Sequence, residues 1–369
     1  MFLFVFLLNM FTIYLPLLLI GYFMPNFIKK TLLFGITIPE KVSTSEEVLK
    51  IQKNYKRNYA LSAVTISIIL NVIAIKTQST NILNFGIFIL LGIMTINYLY
   101  SHNKAKLLKK EKGWTQNKKQ VVIVDTSHRY KQKYLSHHWF WIPISIVIFT
   151  IIFTMVEYPN LPNQISTQFD FYGNITNYTN KSFFSVFGLP LTQIGMTTMF
   201  YIIYRIIQRA KSSIQASRPK ASLKQNQIAK RYWAIYMLVI SVIINLQFAY
   251  IQLNVLQVID SKSKISFLIH GLSIIIPMIG AILVAIKTGQ SGSRIKVDNE
   301  DETNNNVIDR DDDIFWKWGM FYYNPDDYSL FIEKRFGIGW TINFGRPAGM
   351  AIMIVTLIII LASLILPLI

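Results

Sequence analysis

The sequence contains no cysteine, which rules out disulfides, thiolate metal sites and cysteine nucleophiles. Carboxylates are scarce, 19 against 37 Lys and Arg, and none lies inside a long apolar run, Glu157 standing only at the end of one. Proton and sodium pathways through membranes commonly depend on buried carboxylates, so a coupled transporter is disfavoured. There is no Gly-x-Ser-x-Gly elbow, no P-loop, no His-Glu-x-x-His and no pair of aspartates within an apolar run. The adjacent His137 and His138 cannot both face one metal from a regular helix. We expect no catalytic residue, cofactor or metal site, and therefore not an enzyme.

What the chain does have is apolar length. Of its 369 residues 52% are apolar, 14% aromatic and 15% charged. The charges alternate with runs of about 20 residues, long enough to cross the hydrocarbon core. Candidate spans are Phe2–Phe23, Tyr59–Ile75, Ile82–Tyr100, His138–Glu157, Phe184–Ile207, Tyr232–Asn254, Ile265–Ile286 and Ala348–Ile369. The backbone inside each must satisfy its own hydrogen bonds, so the spans are helices. The expected fold class is an all-α polytopic membrane protein of about eight transmembrane helices. Residues 1–23 lack a basic start and a small-residue cleavage site, so they read as an uncleaved first span.

Of the 37 Lys and Arg, 33 fall in alternate segments, residues 24–58, 101–137, 205–231 and 287–347, which leaves Lys76, Lys181, Lys262 and Lys264 for the others. By the positive-inside rule those four segments are cytoplasmic and both termini lie outside. The formal charge of +18 then reflects membrane orientation, not nucleic acid. The expected localisation is the cell membrane, multi-pass, with the lipid bilayer as first partner.

The organisation read from this pattern is a three-helix region over 1–137, a helix–loop–helix unit over 138–207 and two further helices over 208–286. An acidic linker over 287–313, a cytoplasmic aromatic β-hairpin module over 314–347 and a last helix over 348–369 follow. In the first inner segment Ser43 or Ser45 caps a short helix with Glu46 and Glu47 in its first turn. Val48, Ile51 and Tyr55 give that helix an apolar side, so it is either a membrane-surface helix or a solvated connector. Val121–Val124 suits a short strand, and 208–231 reads as an inner loop with frayed helix ends. Eight of the sixteen residues from Asp298 to Asp313 are acidic, which predicts disorder and a solvated Asp311–Asp313 run, with a divalent-cation cluster as the alternative. Beyond it, Asn324-Pro325-Asp326-Asp327 signals a turn, and Leu330–Lys334 and Trp340–Phe344 alternate as strands around Gly337–Gly339. Phe34-Gly35-Ile36 and Phe336-Gly337-Ile338 echo one another.

Within the spans, Asn71, Gln193, Asn245 and Gln247 either bond neighbouring helices or line a polar cavity. His270 either bonds a neighbouring helix or acts as a proton switch.

Residues 158–182 form the one long outer loop, stiffened by Pro159 and Pro162, with Phe169, Phe171 and Tyr172 around Asp170. Tyr158-Pro159-x-Leu161-Pro162, then Gly173, Lys181-Ser182, Pro190 and Gln193 resemble the uncharacterised domain of SdpI-type immunity proteins, over about residues 138–207. Where that family usually has a His before its Gly, this chain reads Gln168-Phe169-Asp170. Residues 309–347, above all Asp311–Phe344, resemble a second uncharacterised, aromatic-rich module that often accompanies the first. The resemblance implies immunity to, or sensing of, a membrane-active peptide, with a regulatory protein held inside. The residues expected to bind are Pro159, Leu161, Pro162, Asp170, Gly173 and Lys181 outside, and Trp316, Trp318, Asp326 and Trp340 inside. The rival readings are a transporter or flippase of a small amphiphile, lined by Asn71, Gln193, Asn245 and Gln247, and a membrane anchor for a cytoplasmic regulator.

Overall fold

A computed structural model describes residues 2–114, 119–121, 135–169, 174–212, 214–259, 264–297, 307–309 and 311–365. In chain order the first elements are α1 (Phe2–Asn9), a π-helical turn (Met10–Tyr14), α2 (Leu15–Phe27), β1 (Leu32–Leu33) and β2 (Ile36–Thr37). Then come α3 (Glu46–Thr77), α4 (Thr80–Lys112), β3 (Lys119–Val121), α5 (Trp141–Glu157), β4 (Gln164–Phe169) and β5 (Ile175–Asn180). The chain continues through α6 (Phe183–Arg209), α7 (Pro219–Val255), α8 (Lys264–Thr288) and β6 (Val307–Asp309). It ends with β7 (Trp316–Lys317), β8 (Phe321–Tyr322), β9 (Phe331–Glu333), β10 (Trp340–Ile342) and α9 (Pro347–Ile365).

Among the described residues seven helical segments are long and apolar enough to cross a membrane: Val5–Phe27, Glu46–Thr77, Thr80–Lys112, His137–Asn160, Phe183–Arg209, Pro219–Val255 and Leu268–Gly292. The eighth expected span corresponds to the apolar helix α9. Rows of large apolar side chains on these helices are uncovered, for example Leu61, Phe88 and Phe149 at 64–65% exposure, a surface that only lipid accommodates. The protein is therefore an all-α polytopic membrane protein.

Three elements differ from expectation. The short inner helix at Glu46 and the second span are one 32-residue helix, because nothing between Glu46 and Thr77 breaks the turn. Likewise α7 begins at Pro219, so most of the third basic segment is helical, with proline at the position where its missing N–H costs nothing. The expected strand at Val121–Val124 is found only as Lys119–Val121, paired in parallel with β6; the rest of it, and residues 298–306 of the acidic linker, lie outside the described residues.

The chain divides into two compact units. The first comprises residues 1–131, 210–229 and 285–369. In it α3 and α4 run side by side, joined through Gln78 in the left-handed region (φ +50°). Tyrosines tie the first helices to them: Tyr14 Oη donates to Leu83 O (2.8 Å), Tyr59 Oη to Leu17 O (3.0 Å) and Tyr55 Oη to Gly21 O (3.0 Å). These rings fit because Gly21 and Gly86 have no side chain; a Cβ at either would lie 2.1–2.3 Å from a tyrosine.

The second unit comprises residues 132–209 and 230–284. Gln193 on α6 donates through Nε2 to Asn245 O on α7 (2.9 Å) and reaches Thr150 Oγ1 on α5 (3.5 Å). Gln252 on α7 donates through Nε2 to Val186 O on α6 (3.0 Å) and to Thr154 Oγ1 on α5 (3.2 Å). The two bridges are reciprocal, each seven residues further along its own helix, as an antiparallel pair requires. Asn245 Nδ2 adds a bond to Thr197 Oγ1 at 2.8 Å.

Candidate functional site

Two regions hold the residues expected to bind. In the second unit, residues 158–182 are not an open loop. Tyr158–Asn160 makes a 3₁₀ turn off the end of α5, and β4 and β5 pair antiparallel with an irregular register between Ser166 and Phe169. Leu161, just before β4, and Ile165 within it are buried with Val186, Phe187, Val255 and Leu256 at the helix ends. Every residue of β5 is exposed, including Ile175 (40%) and Tyr178 (58%).

Lys181 reaches back across the base of the hairpin. Its ammonium donates to Leu161 O (3.0 Å) and lies 4.8 Å from the centre of the Tyr158 ring, while its backbone N–H donates to Asn163 O (2.8 Å). Of the expected outer residues, then, Leu161 and Lys181 build the base, and Pro159 and Pro162 are exposed beside it. Asp170 and Gly173 lie outside the described residues.

The aromatic module, in the first unit, does not gather its four expected residues into one patch. Trp316 is interior (6% exposed), packed at a tilt against the Tyr322 ring at 5.0 Å and beneath the Arg335 guanidinium at 5.1 Å. Trp318 is 64% exposed on the turn between β7 and β8. Asp326 is exposed in the Asn324–Asp327 turn, and Trp340 is half-buried in β10, opposite Glu333. Asn343 holds that turn: fully buried, it accepts from the Asn324 and Gly345 N–H groups (3.1 and 3.0 Å) and donates to Asn324 O and Asp327 O (2.8 and 2.9 Å). All of its hydrogen-bonding capacity is used.

The residues that the sequence reading missed form an ionic hub. Asp313 Oδ1 accepts from the Thr37 N–H (3.1 Å) and hydroxyl (2.8 Å), and Asp313 Oδ2 accepts from Lys109 Nζ (2.6 Å). Arg335 donates to Asp312, to Asp313 and to Gly35 O, the last at 2.8 Å. Lys109 also pairs with Asp311 at 2.8 Å. Asp311–Asp313 is thus not a solvated acidic run, as its composition suggested; the partners come from residues 37, 109 and 335, distant in sequence. Burial pushes the Asp313 carboxyl up, but Arg335 and Lys109 outweigh it and hold it below the usual carboxylate range. Burial likewise pushes the Asp327 carboxyl up, but the bonds from Lys211 Nζ (2.8 Å) and the Ser329 N–H outweigh it and hold it below the usual carboxylate range. The Tyr322 phenol is pushed up to about 12 by burial.

Beside the hub the two Phe-Gly-Ile segments meet on one ring. Phe34 and Phe336 both pack on Tyr98, with centroids at 6.2 and 3.9 Å. Gly35 (φ +81°) and Gly319 (φ +69°) touch backbone to backbone; a Cβ on Gly35 would lie 2.7 Å from the Gly319 Cα. The echo was legible in the sequence, but its meaning needed the fold.

The polar span residues also separate. Gln193 and Asn245 bond one another's helices, Gln247 bonds His270 on α8, and Asn71 bonds Ser67 within α3.

Two family models match parts of the chain. Residues 145–194 match a domain of unknown function (DUF1648), the type found in SdpI-like proteins, and residues 325–350 match a family of unknown function (DUF5808). No curated protein and no solved structure matches the chain. The first match spans most of α5, the β4–β5 hairpin and the start of α6 through Gln193, and the second runs from Pro325 in the turn through β9 and β10 into the start of α9. The chain is a multi-pass membrane protein that carries two domains of unknown function.

Proposed function

We propose that this is an integral membrane protein of a bacterial cell envelope that binds a membrane-active peptide at its outer hairpin and so provides immunity to it or senses it. Its work is binding, not catalysis. Both termini and residues 158–182 face outward, and the inner module faces the cytoplasm, where a regulatory protein is a second partner. The observation that supports this reading most is β5. It is exposed along its whole length, yet its hairpin is held on the helix ends by Leu161, Ile165 and Lys181. A fixed strand with apolar side chains and open backbone groups suits an extended amphiphilic peptide added as a further strand. The DUF1648 match over this hairpin agrees with the SdpI-type resemblance.

The test is growth inhibition by a panel of cationic and hydrophobic peptides in cells with the gene deleted, restored, or restored with Ile175→Asp and Tyr178→Asp. The expected result is sensitisation on deletion, rescue by the native gene and failure of the β5 variant at equal expression. No shift for any peptide sinks the reading.

A second reading, transport of a small amphiphile, draws on the buried polar seam of α5–α7, where the side-chain oxygens of Gln193, Gln252 and Ser241 have no bonding partner among the described residues. Substrate movement in vesicles that is lost in Gln193→Leu favours it.

A further inference from the structure

The inner module exposes a set of large aromatics at a definite depth. Trp318 stands on the β7–β8 turn with a left-handed backbone (φ +52°), a conformation that a bulky residue adopts only when its surroundings impose it. The constraint is visible next door: Gly319 is pressed against Tyr98 and His102, so close that a Cβ there would lie 2.6 Å from the Tyr98 hydroxyl and 2.9 Å from His102 Nδ1. Tyr98 and His102 belong to the last turns of α4, where the apolar span gives way to lysines. Trp318 is thereby fixed at the level where that helix leaves the hydrocarbon.

Other side chains mark the same level. Tyr100 is exposed with Lys104 Nζ 5.6 Å from its ring centre, and Tyr22 carries Lys56 Nζ at 5.7 Å. Paired aromatic and basic side chains of this kind belong at a membrane–water interface. The Trp318 ring packs edge-on against Phe321 (6.1 Å), and Phe321 against Phe344 (5.7 Å), three residues before α9 begins. Arg346, one residue before α9, stacks over Tyr328, which is 85% exposed. The aromatic face, exposed at Trp318 and Phe321 and half-buried at Phe344, therefore adjoins α9, whose apolar side chains Met350 and Ile352–Val355 are exposed.

We infer that the Trp318–Phe321–Phe344 face is a lipid-docking surface that seats the inner module in the phospholipid headgroup layer. Its occupant is the bilayer itself, and the inference stands whether or not the outer hairpin binds a peptide. The surface gives the module a second hold besides the ionic hub, and any peripheral change that lifts it from the headgroups exposes Trp318 and Phe321 to water.

The test uses the absence of native cysteine. Full-length Trp318→Cys, Phe321→Cys, Met350→Cys and Lys112→Cys variants are spin-labelled in phosphatidylcholine–phosphatidylglycerol nanodiscs. Collisions with oxygen and with a water-soluble nickel chelate are then compared. Labels at 318 and 321 are expected to show an oxygen-to-nickel ratio several-fold above that of the Lys112 label and approaching that of Met350. A ratio equal to that of the Lys112 label overturns the inference and marks the face as an aqueous surface, open to a protein partner. Trp318→Phe in nanodiscs of brominated lipid gives a second readout: loss of a quenched tryptophan component supports docking, and loss of an unquenched component overturns it.

Discussion

Asp313 offers the sharpest quantitative test, because two cations from distant parts of the chain share its buried carboxylate. In Arg335→Met, Asp313 keeps Lys109 and both Thr37 donors, Asp312 (37% exposed side chain) turns to water, and Gly35 O loses its donor. The cost is about 2–3 kcal/mol, mostly from the orphaned carbonyl and the lost charge pair. In Lys109→Met, Asp313 keeps Arg335 and Asp311 is a quarter exposed, so the cost is about 1–2 kcal/mol. The double variant leaves Asp313 buried with no cation at all. Its loss should therefore exceed the sum of the two singles by about 1–2 kcal/mol. Amide hydrogen exchange of β9 and β10 in detergent reads the opening free energy of the module directly. Protonation of Asp313 limits the excess, so the excess must shrink as the pH is lowered toward the carboxylate range. Additivity to within about 0.5 kcal/mol, or an excess that ignores pH, would refute the shared-carboxylate account.

Three further outcomes follow from the geometry. Gly35→Ala and Gly319→Ala should each lower the same opening free energy by about 1–3 kcal/mol, since both need positive φ and meet Tyr98 at 2.6 Å, whereas Gly195→Ala, which meets nothing within 4 Å, should be neutral or mildly stabilising. Gln193→Leu and Gln252→Leu should each destabilise the α6–α7 pair by about 0.6–1.7 kcal/mol in detergent unfolding followed by circular dichroism, and equal stability in both would show that the reciprocal bridges contribute nothing. Asp313 and Asp327 have folded pKa values below their unfolded ones, so the stability they contribute is present above ~4 and is lost as pH falls through the lowered values. Tryptophan emission should report loosening of the module in that acid window, and Asp313→Asn with Asp327→Asn should remove most of that pH dependence. Tyr322 works in the opposite direction, its contribution being lost as pH rises through about 12.

The chain alone determined that this is a multi-pass helical membrane protein with a β-hairpin module ahead of its last helix. Those features are written locally, in runs long enough to span hydrocarbon and, after an Asn-Pro-Asp-Asp turn, in two alternating stretches around Gly337–Gly339. Side-chain chemistry at single positions was legible only in part. Leu161 and Lys181 stood out in the sequence and do build the base of the β4–β5 hairpin, yet β4 and β5 themselves were not read, because Gln, Thr and Asn residues there give no apolar alternation beyond Ile165. Tertiary structure alone decided the fate of Asp311–Asp313. Composition describes how a segment meets water, and three adjacent aspartates read as solvated until Lys109, Thr37 and Arg335 converge on them from positions up to 276 residues away. The same holds for the two Phe-Gly-Ile segments, which acquire a role only where both reach Tyr98, and for Gln193 and Gln252, whose reciprocal bonds exist only once α6 and α7 lie antiparallel. Hydropathy is a property of a stretch of chain and survives without the fold, whereas a buried charge or amide takes its meaning from partners that only folding supplies.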